Sequence, residues 1–148
     1  MIKIAHPLAG ALALLMIATF WLSTAVSELL GEEALIVTVK TAIPWGFLVL
    51  IPALAAAGGT GFKLAGGYRA GLVGAKAKRM PFIALNGILV LVPAALFLAY
   101  KADLGALDTS FYWVQGLELV TGAVNLTLLS LNMRDGLKLR SQRSRNPD

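Results

Sequence analysis

The amino-acid sequence predicts an all-α integral membrane protein, a bundle of four spanning helices with both termini in the cytoplasm. Three observations predict it: the apolar composition, four apolar stretches of spanning length, and the placement of the basic residues. The chain of 148 residues is 57% hydrophobic and 14% charged, with a mean hydropathy of +0.75. A soluble domain is about one quarter charged and less than half apolar, so this composition is typical of a membrane protein.

The four apolar stretches account for most of the chain. A helix that crosses the hydrocarbon core needs about 20 residues, most of them apolar. The first stretch exceeds the roughly 7–15 apolar residues of a secretory signal peptide, so we interpret it as a retained helix. One transmembrane domain, residues 1–132, is predicted, followed by a basic and flexible cytoplasmic tail, residues 133–148. The predicted spans are about 7–29, 35–57, 81–100 and 110–131.

The basic residues determine the predicted orientation. Segment 58–80 and the tail are rich in Lys and Arg, whereas the connections at 28–33 and 101–109 are mostly acidic. Cytoplasmic segments of membrane proteins carry an excess of Lys and Arg. We therefore predict a multi-pass membrane protein with both termini and segment 58–80 in the cytoplasm, and we expect the membrane to be the bacterial inner membrane. The two acidic connections should be short hairpin loops that face outward.

Segment 58–80 is predicted to be a flexible connector, because glycine at this density disfavours a helix. A backbone nest for a phosphate is an alternative, but the segment lacks the strand, GxxxxGK[ST] loop and helix of a nucleotide site. The positive-inside rule already explains the basic residues, so we predict no nucleic-acid partner. Contacts with anionic lipid headgroups are expected at five residues: Lys63, Arg69, Lys76, Lys78 and Arg79.

Polar residues of the fourth span fall on one helical face. Gln115, Glu118, Asn125 and Asn132 follow one another at intervals of three or seven residues, which places them on one side of a helix. Lys40, near the start of the second span, lies at a similar depth to Glu118 in the outer half of the bilayer. A charge at that depth needs a partner, so Lys40 and Glu118 are expected to pair.

The third span adds Asn86, Pro93 and Tyr100, which are expected to share one face because they are seven residues apart. The sequence therefore predicts an outward-opening polar seam. Its amides could serve only as hydrogen-bonding partners between helices. For Glu118, a role in binding or in proton handling is a hypothesis of equal weight to a purely structural role. The predicted members of the seam are Lys40, Asn86, Gln115, Glu118 and Asn125.

His6, the one histidine of the chain, stands in the motif HPLAG at the start of the first helix. This motif and the count of four helices resemble pieces of cytochrome b561-type proteins, which hold haem between histidines of different helices. The resemblance implies haem ligation by His6, but the chain departs from the family because it has no second histidine for a site within one protomer. Met80 or Met133, expected on the same cytoplasmic side as His6, would then be the second axial ligand. A histidine that only caps its helix is the alternative. As a whole, the chain resembles the small uncharacterised four-helix inner-membrane proteins of bacteria, from which no chemistry carries over.

The sequence contains no cysteine and neither an HExxH nor a GxSxG motif, so we predict no catalytic residue and no metal site. The leading interpretation is a non-enzymatic membrane protein that binds a small molecule, a lipid or a partner subunit through the seam. It would act as a homo-oligomer or within a membrane complex, and no cofactor is predicted. One alternative is a haem- or quinone-binding electron-transfer protein. Another is an oligomeric ion or proton pathway with Glu118 as the relay.

Overall fold

The computed structural model describes residues 2–67 and 70–145. A π-helical turn at Gly87–Leu91 joins the helices Gly71–Asn86 and Val92–Asp103 in one continuous rod, so the described residues form four long helices. Each is long and apolar enough to cross a membrane, which confirms the predicted all-helical fold with four candidate spans. The elements are α1 (Ile2–Leu30), α2 (Glu33–Ala65), α3 (Gly71–Asn86), a π turn (Gly87–Leu91), α4 (Val92–Asp103) and α5 (Thr109–Arg145).

Two tight loops close the hairpins α1–α2 and α4–α5. Gly31 and Gly105 have φ angles of +66° and +64°, a left-handed conformation that a residue without Cβ adopts at little cost. The Gly31 N–H donates to Ser27 O at 3.2 Å, which ends α1 in the manner typical of a glycine after a helix. We call the end of the bundle with these two loops the hairpin end, and the opposite end the termini end.

The helices pack through narrow apolar contacts. Buried small residues such as Ala13 and Ala53 let α1 and α2 approach closely, and Ile83 of α3 joins the same cluster. A second cluster at the hairpin end includes Leu98 and Phe111, neither of which is exposed at all. Small residues at helix contacts are typical of membrane bundles, where close packing and hydrogen bonds hold the helices together.

The helices at the termini end are longer than predicted. Segment 58–80 was expected to be a connector, but α2 continues to Ala65 and α3 begins at Gly71. Gly61 of α2 is a packing position, because a Cβ there would lie 3.1 Å from the His6 ring. Glycine there lets α1 approach α2, so the glycine-rich sequence supports a helix contact instead of a loop.

The fourth helix also passes its predicted end near 131. It continues through Arg145, where the prediction placed an irregular tail. The side chains of Asn132 and Asp135 face Arg79 of α3 and hydrogen bond with it. This packing extends the helix contact beyond the apolar stretch and explains why the helix does not end there.

The third span contains a π turn just before a proline. The Val92 N–H donates to Gly87 O, five residues back, instead of four as in an α-helix. Pro93 has no N–H, and its ring would clash with the carbonyl of Leu89 in a regular α-helix. A widened turn relieves that clash, and such turns occur mostly as single insertions within α-helices.

The π turn changes which residues of the third span face inward. Asn86 and Pro93 were predicted to share a face with Tyr100, but Pro93 and Tyr100 are exposed. Ala94 and Leu98 are buried in their place. The inserted residue rotates the rest of the helix by about 100°, so a spacing of seven no longer keeps one face.

Candidate functional site

A fully buried charge lies between α2 and α5 near the hairpin end. Lys40 is only 1% exposed, and its ammonium donates to the carboxylate of Glu118. Its second acceptor is Thr24 Oγ1 of α1, at 3.2 Å. The structure thus brings together the two residues that were expected to pair, and adds a hydroxyl from a third helix.

A second carboxylate lies beside this ion pair. Glu28 is one helical turn beyond Thr24, and its Oε1 accepts a hydrogen bond from Gln115 Nε2 at 2.6 Å. Gln115 lies one turn before Glu118 on α5 and is 3% exposed. Glu28 and Lys40 also interact electrostatically. We call this group the Lys40 cluster: Thr24, Glu28, Lys40, Gln115 and Glu118.

The Lys40 cluster has more acceptors than donors. Two carboxylates face one ammonium, which gives a formal charge of −1 when both acids are ionised. The Ser27 hydroxyl, also buried, donates to Thr24 O at 2.9 Å and is therefore already engaged. Such a group is suited to bind a proton, a cation or a hydrogen-bond donor. It holds no activated nucleophile.

A layer of two amides lies between α3 and α5, about two helical turns from Glu118. Asn86 donates to Asn125 Oδ1 at 3.0 Å and to Thr121 O at 2.9 Å. Asn125, itself buried, donates to Ile83 O at 3.3 Å. The structure brings the two predicted amides into one network whose polar atoms face each other or backbone carbonyls. This arrangement is that of interhelical hydrogen bonding.

A second charged group lies at the termini end. Asp135 is buried and accepts from Arg79 at 2.6 Å and from Arg134 at 3.4 Å. Arg79 also donates to Asn132 Oδ1 at 3.3 Å. The ammonium of Lys76, a residue of α3, lies beside Gly136 of α5 and interacts electrostatically with Asp135. We call this group the Arg79 cluster: Lys76, Arg79, Asn132, Arg134 and Asp135.

Sequence reasoning missed Asp135 because it ended the fourth helix too early. Asp135 follows Asn125 by ten residues and Asn132 by three, so it continues the polar face of α5. Glu28 was included in the predicted acidic connection 28–33 and was not assigned to the seam. The signal for Glu28 was its position four residues after Thr24, since residues so spaced share a helix face.

The three residues proposed as haem ligands lie at the termini end in different surroundings. His6 Nδ1 is 3.0 Å from Ala57 O and 3.1 Å from Thr60 Oγ1. Met80 Sδ is 3.5 Å from Asn132 Nδ2. Met133 is 38% exposed. Haem ligation by this set stays a prediction.

The five residues expected at lipid headgroups also divide by surroundings. Lys63 and Lys78 are exposed. Lys76 and Arg79 are half-buried and turn toward α5 as members of the Arg79 cluster. Arg69 lies outside the described residues.

The described residues include no group of three or more His, Cys, Asp or Glu side chains placed to hold a metal ion. No protein-family model, curated protein or solved structure matches this chain.

Proposed function

We propose that this chain is a non-enzymatic integral membrane protein that binds a small molecule, a lipid or a partner subunit at the Lys40 cluster. The observation that carries the proposal is the cluster itself, in which three helices gather an ammonium and two carboxylates. Ionisable groups inside a membrane bundle cost free energy and commonly mark a functional site. The amide layer provides ordinary interhelical hydrogen bonds, so the bundle has polar contacts elsewhere that need no such charges.

The outward-facing side chains support insertion in a membrane. Large apolar residues on all four helices are exposed, among them Leu8, Leu48, Ile88 and Val120, each about two-thirds exposed. A water-soluble monomer rarely leaves contiguous apolar surface larger than a few hundred Å² uncovered. The hydrocarbon of a bilayer would cover these side chains.

The depth of the two charged clusters agrees with one membrane position. At about 1.5 Å per residue, Glu118 is about 14 Å and Asp135 about 39 Å along α5 from Thr109. A hydrocarbon core of about 30 Å that ends near Asp135 contains Glu118 in its hairpin-end half. Lys63 and Lys138 then lie beyond the core at the termini end, whereas Lys40 lies within it. This distribution supports an orientation with both termini in the cytoplasm, and we propose that the membrane is the bacterial inner membrane.

Orientation can be tested directly because the chain has no cysteine. Single variants Glu33→Cys at the hairpin end and Lys138→Cys at the termini end would be exposed to a membrane-impermeant maleimide in spheroplasts. We expect labelling of the Glu33→Cys variant in intact spheroplasts, and of the Lys138→Cys variant only after lysis. The reverse pattern would contradict the proposed orientation.

The binding role is tested by what the protein retains during purification. Native mass spectrometry of protein extracted into polymer nanodiscs would compare the wild type with Glu118→Gln and Lys40→Ala. Lys138→Ala, a change of an exposed lysine far from the cluster, is the matched control. We expect a copurifying molecule or subunit that the two cluster variants lose and the control retains. Equal retention in all four proteins would overturn the proposal, and a Soret absorption band would favour the haem alternative.

The proposal includes partners outside the cluster. Anionic lipid headgroups would contact the exposed Lys63 and Lys78, since basic side chains beside a span are attracted to the anionic leaflet. The binding of a second copy or a partner subunit would bury part of the apolar surface. The same nanodisc spectra report the oligomeric state.

A further inference from the structure

One atom of the Lys40 cluster lacks a hydrogen-bond partner. It is Gln115 Oε1, a side-chain oxygen buried without a partner among the described residues. The other end of the same amide, Gln115 Nε2, donates to Glu28 Oε1 at 2.6 Å, so the Gln115 amide and the Glu28 carboxyl group are in direct contact. An amide oxygen only accepts hydrogen bonds. Leaving a buried acceptor unsatisfied costs about 1–3 kcal/mol, so a donor is required here.

The net charge of the Lys40 cluster also indicates that a positively charged donor is missing. Lys40 neutralises Glu118, with which it pairs, and the second carboxylate is left without a cation of its own. From α2 and α5, the helices packed against α1 in the described chain, the charged group near Glu28 is Lys40, which is itself paired with Glu118. An uncompensated carboxylate between membrane helices is unfavourable. The cluster therefore lacks one positive charge and one donor.

We propose that Glu28 holds a proton at neutral pH and forms a reciprocal acid–amide pair with Gln115. In this pair Gln115 Nε2 donates to Glu28 Oε1, and the new O–H on Glu28 Oε2 donates to Gln115 Oε1. One proton from the solvent satisfies the orphan acceptor and cancels the excess charge. Glu118 stays ionised and paired with Lys40, so each carboxyl group has one partner.

A proton explains both deficits better than a metal ion. A divalent cation would leave the cluster with a positive charge, and calcium or magnesium would require about six or more oxygen ligands. The described residues offer no group of three acidic or histidine ligands. Glu28 is partly exposed near the hairpin end, so a proton can reach it from the solvent. The functional consequence rests on the proposed function: this proton sets the charge that a ligand meets at the cluster.

Infrared spectroscopy in nanodiscs tests the inference, because a protonated carboxyl group and a carboxylate have separate bands. We expect the wild type at neutral pH to show a protonated-carboxyl band that Glu28→Gln removes and Glu118→Gln retains. Glu33→Gln, a change of an exposed glutamate on the same hairpin, is the matched control and should leave the band unchanged. Gln115→Leu removes the amide, so the band should shift to the frequency of an acid without that hydrogen bond.

Stability provides a second measurement. Glu28→Gln can make both hydrogen bonds of the pair without a titratable group, so it should fold with a thermal midpoint close to that of the wild type. The wild-type midpoint should fall as alkaline pH removes the infrared band, and the midpoint of Glu28→Gln should not follow it.

Three infrared results would overturn the inference: no protonated-carboxyl band at neutral pH, a band that persists in Glu28→Gln, or a band that Glu118→Gln removes instead. A copurifying ligand without the band would refute the proton on Glu28 and leave the binding role standing. The band without a retained ligand would refute the binding role alone.

Discussion

The Lys40 cluster and the Arg79 cluster are both charged groups between helices, but they are built in opposite ways. In the Lys40 cluster the cation is fully buried, and Glu118, at 13%, is the more exposed partner. In the Arg79 cluster the carboxylate of Asp135 is buried, and Arg79 extends toward the surface. One ammonium faces two carboxylates at the hairpin end. Three cations surround one carboxylate at the termini end.

This difference shows why ion-pair count is a poor guide to a functional site. Both oxygens of Asp135 accept hydrogen bonds from arginines. These arginines lie at the termini end, which is proposed to face the cytoplasm, and cytoplasmic segments of membrane proteins carry an excess of Lys and Arg. The Arg79 cluster can thus be understood as a structural contact at the end of two helices. The Lys40 cluster has a second carboxylate, that of Glu28, and an amide oxygen without a hydrogen-bond partner among the described residues. The unsatisfied groups, more than the ion pair, distinguish the candidate site.

The largest expected effect comes from removing the buried cation. Lys40→Met keeps a side chain of similar length but leaves Glu118 and Glu28 without an ammonium. Loss of one partner of a buried pair costs about 3–5 kcal/mol. Arg79→Met is the matched change at the other end and should cost about 1–3 kcal/mol, because Arg134 still contacts Asp135. Thermal unfolding in the same detergent measures both variants.

A double variant sharpens this comparison. Lys40→Met combined with Glu118→Leu removes both charges of the pair, and we expect it to recover much of the stability that Lys40→Met loses. Equal destabilisation by Lys40→Met and Arg79→Met, with no recovery in the double variant, would show that the two clusters do not differ as described.

An intermediate effect is expected at the amide layer, which contains no charge. Asn125→Leu removes the acceptor of Asn86 and the donor to Ile83 O. Interhelical hydrogen bonds in membranes contribute about 0.6 kcal/mol on average and at most about 2 kcal/mol, so a modest fall in thermal midpoint should result. Ser130→Leu, at an exposed position of the same helix, serves as the control. A loss as large as that of Lys40→Met would mean that the amide layer has more than a packing role.

The smallest effect is expected at the exposed ion pair of the second hairpin loop. Asp108 accepts from Lys101 at 2.5 Å, from Ser110 at 2.6 Å and from the Phe111 N–H at 3.1 Å, which caps the start of α5. These hydrogen bonds, that of Lys101 foremost, hold the pKa of Asp108 well below its usual range. Exposed pairs contribute little to stability, so Asp108→Asn should lower the thermal midpoint only slightly.

The pH dependence of this small effect has a definite sign. Because the pKa of Asp108 is lower in the folded state, its contribution is complete above about pH 4, the pKa of a free Asp. It is lost as the pH falls through the lower folded-state pKa. The midpoint difference between wild type and Asp108→Asn should therefore be constant near neutrality and shrink below pH 4. A difference that grows on acidification would contradict this assignment.

Much of the fold could be predicted from hydrophobicity and charge. Four apolar stretches give four candidate spans because each must satisfy its own backbone hydrogen bonds within hydrocarbon. The contact between Lys40 and Glu118 was also accessible, since two opposite charges at equal depth in a bilayer have few other partners. Depth along a helix follows directly from residue number.

The remaining features of the fold and the site depend on packing between helices, which the local sequence pattern does not indicate. The glycines of α2 favour a loop by propensity, yet Gly61 serves as a contact surface for His6. Asp135 was predicted to lie in the flexible cytoplasmic tail, but it belongs to α5 and pairs with Arg79 of α3. Glu28 could be assigned to the Lys40 cluster only if the side of α1 that meets α5 were known. The rotation of a helix about its own axis depends on the neighbouring helices more than on the spacing of residues in its sequence.

The π turn at Gly87–Leu91 lets one span serve two neighbours. Before it, Asn86 faces α5, and after it, Ala94 and Leu98 are buried in a segment that packs on α2 as well as α5. The extra residue changes which side of the helix faces each neighbour from the first half of the helix to the second. A deletion of a single residue there would shorten the span by only about 1.5 Å but turn one half by about 100° relative to the other. The number of residues in this short stretch therefore determines which helices the two halves of the span can contact.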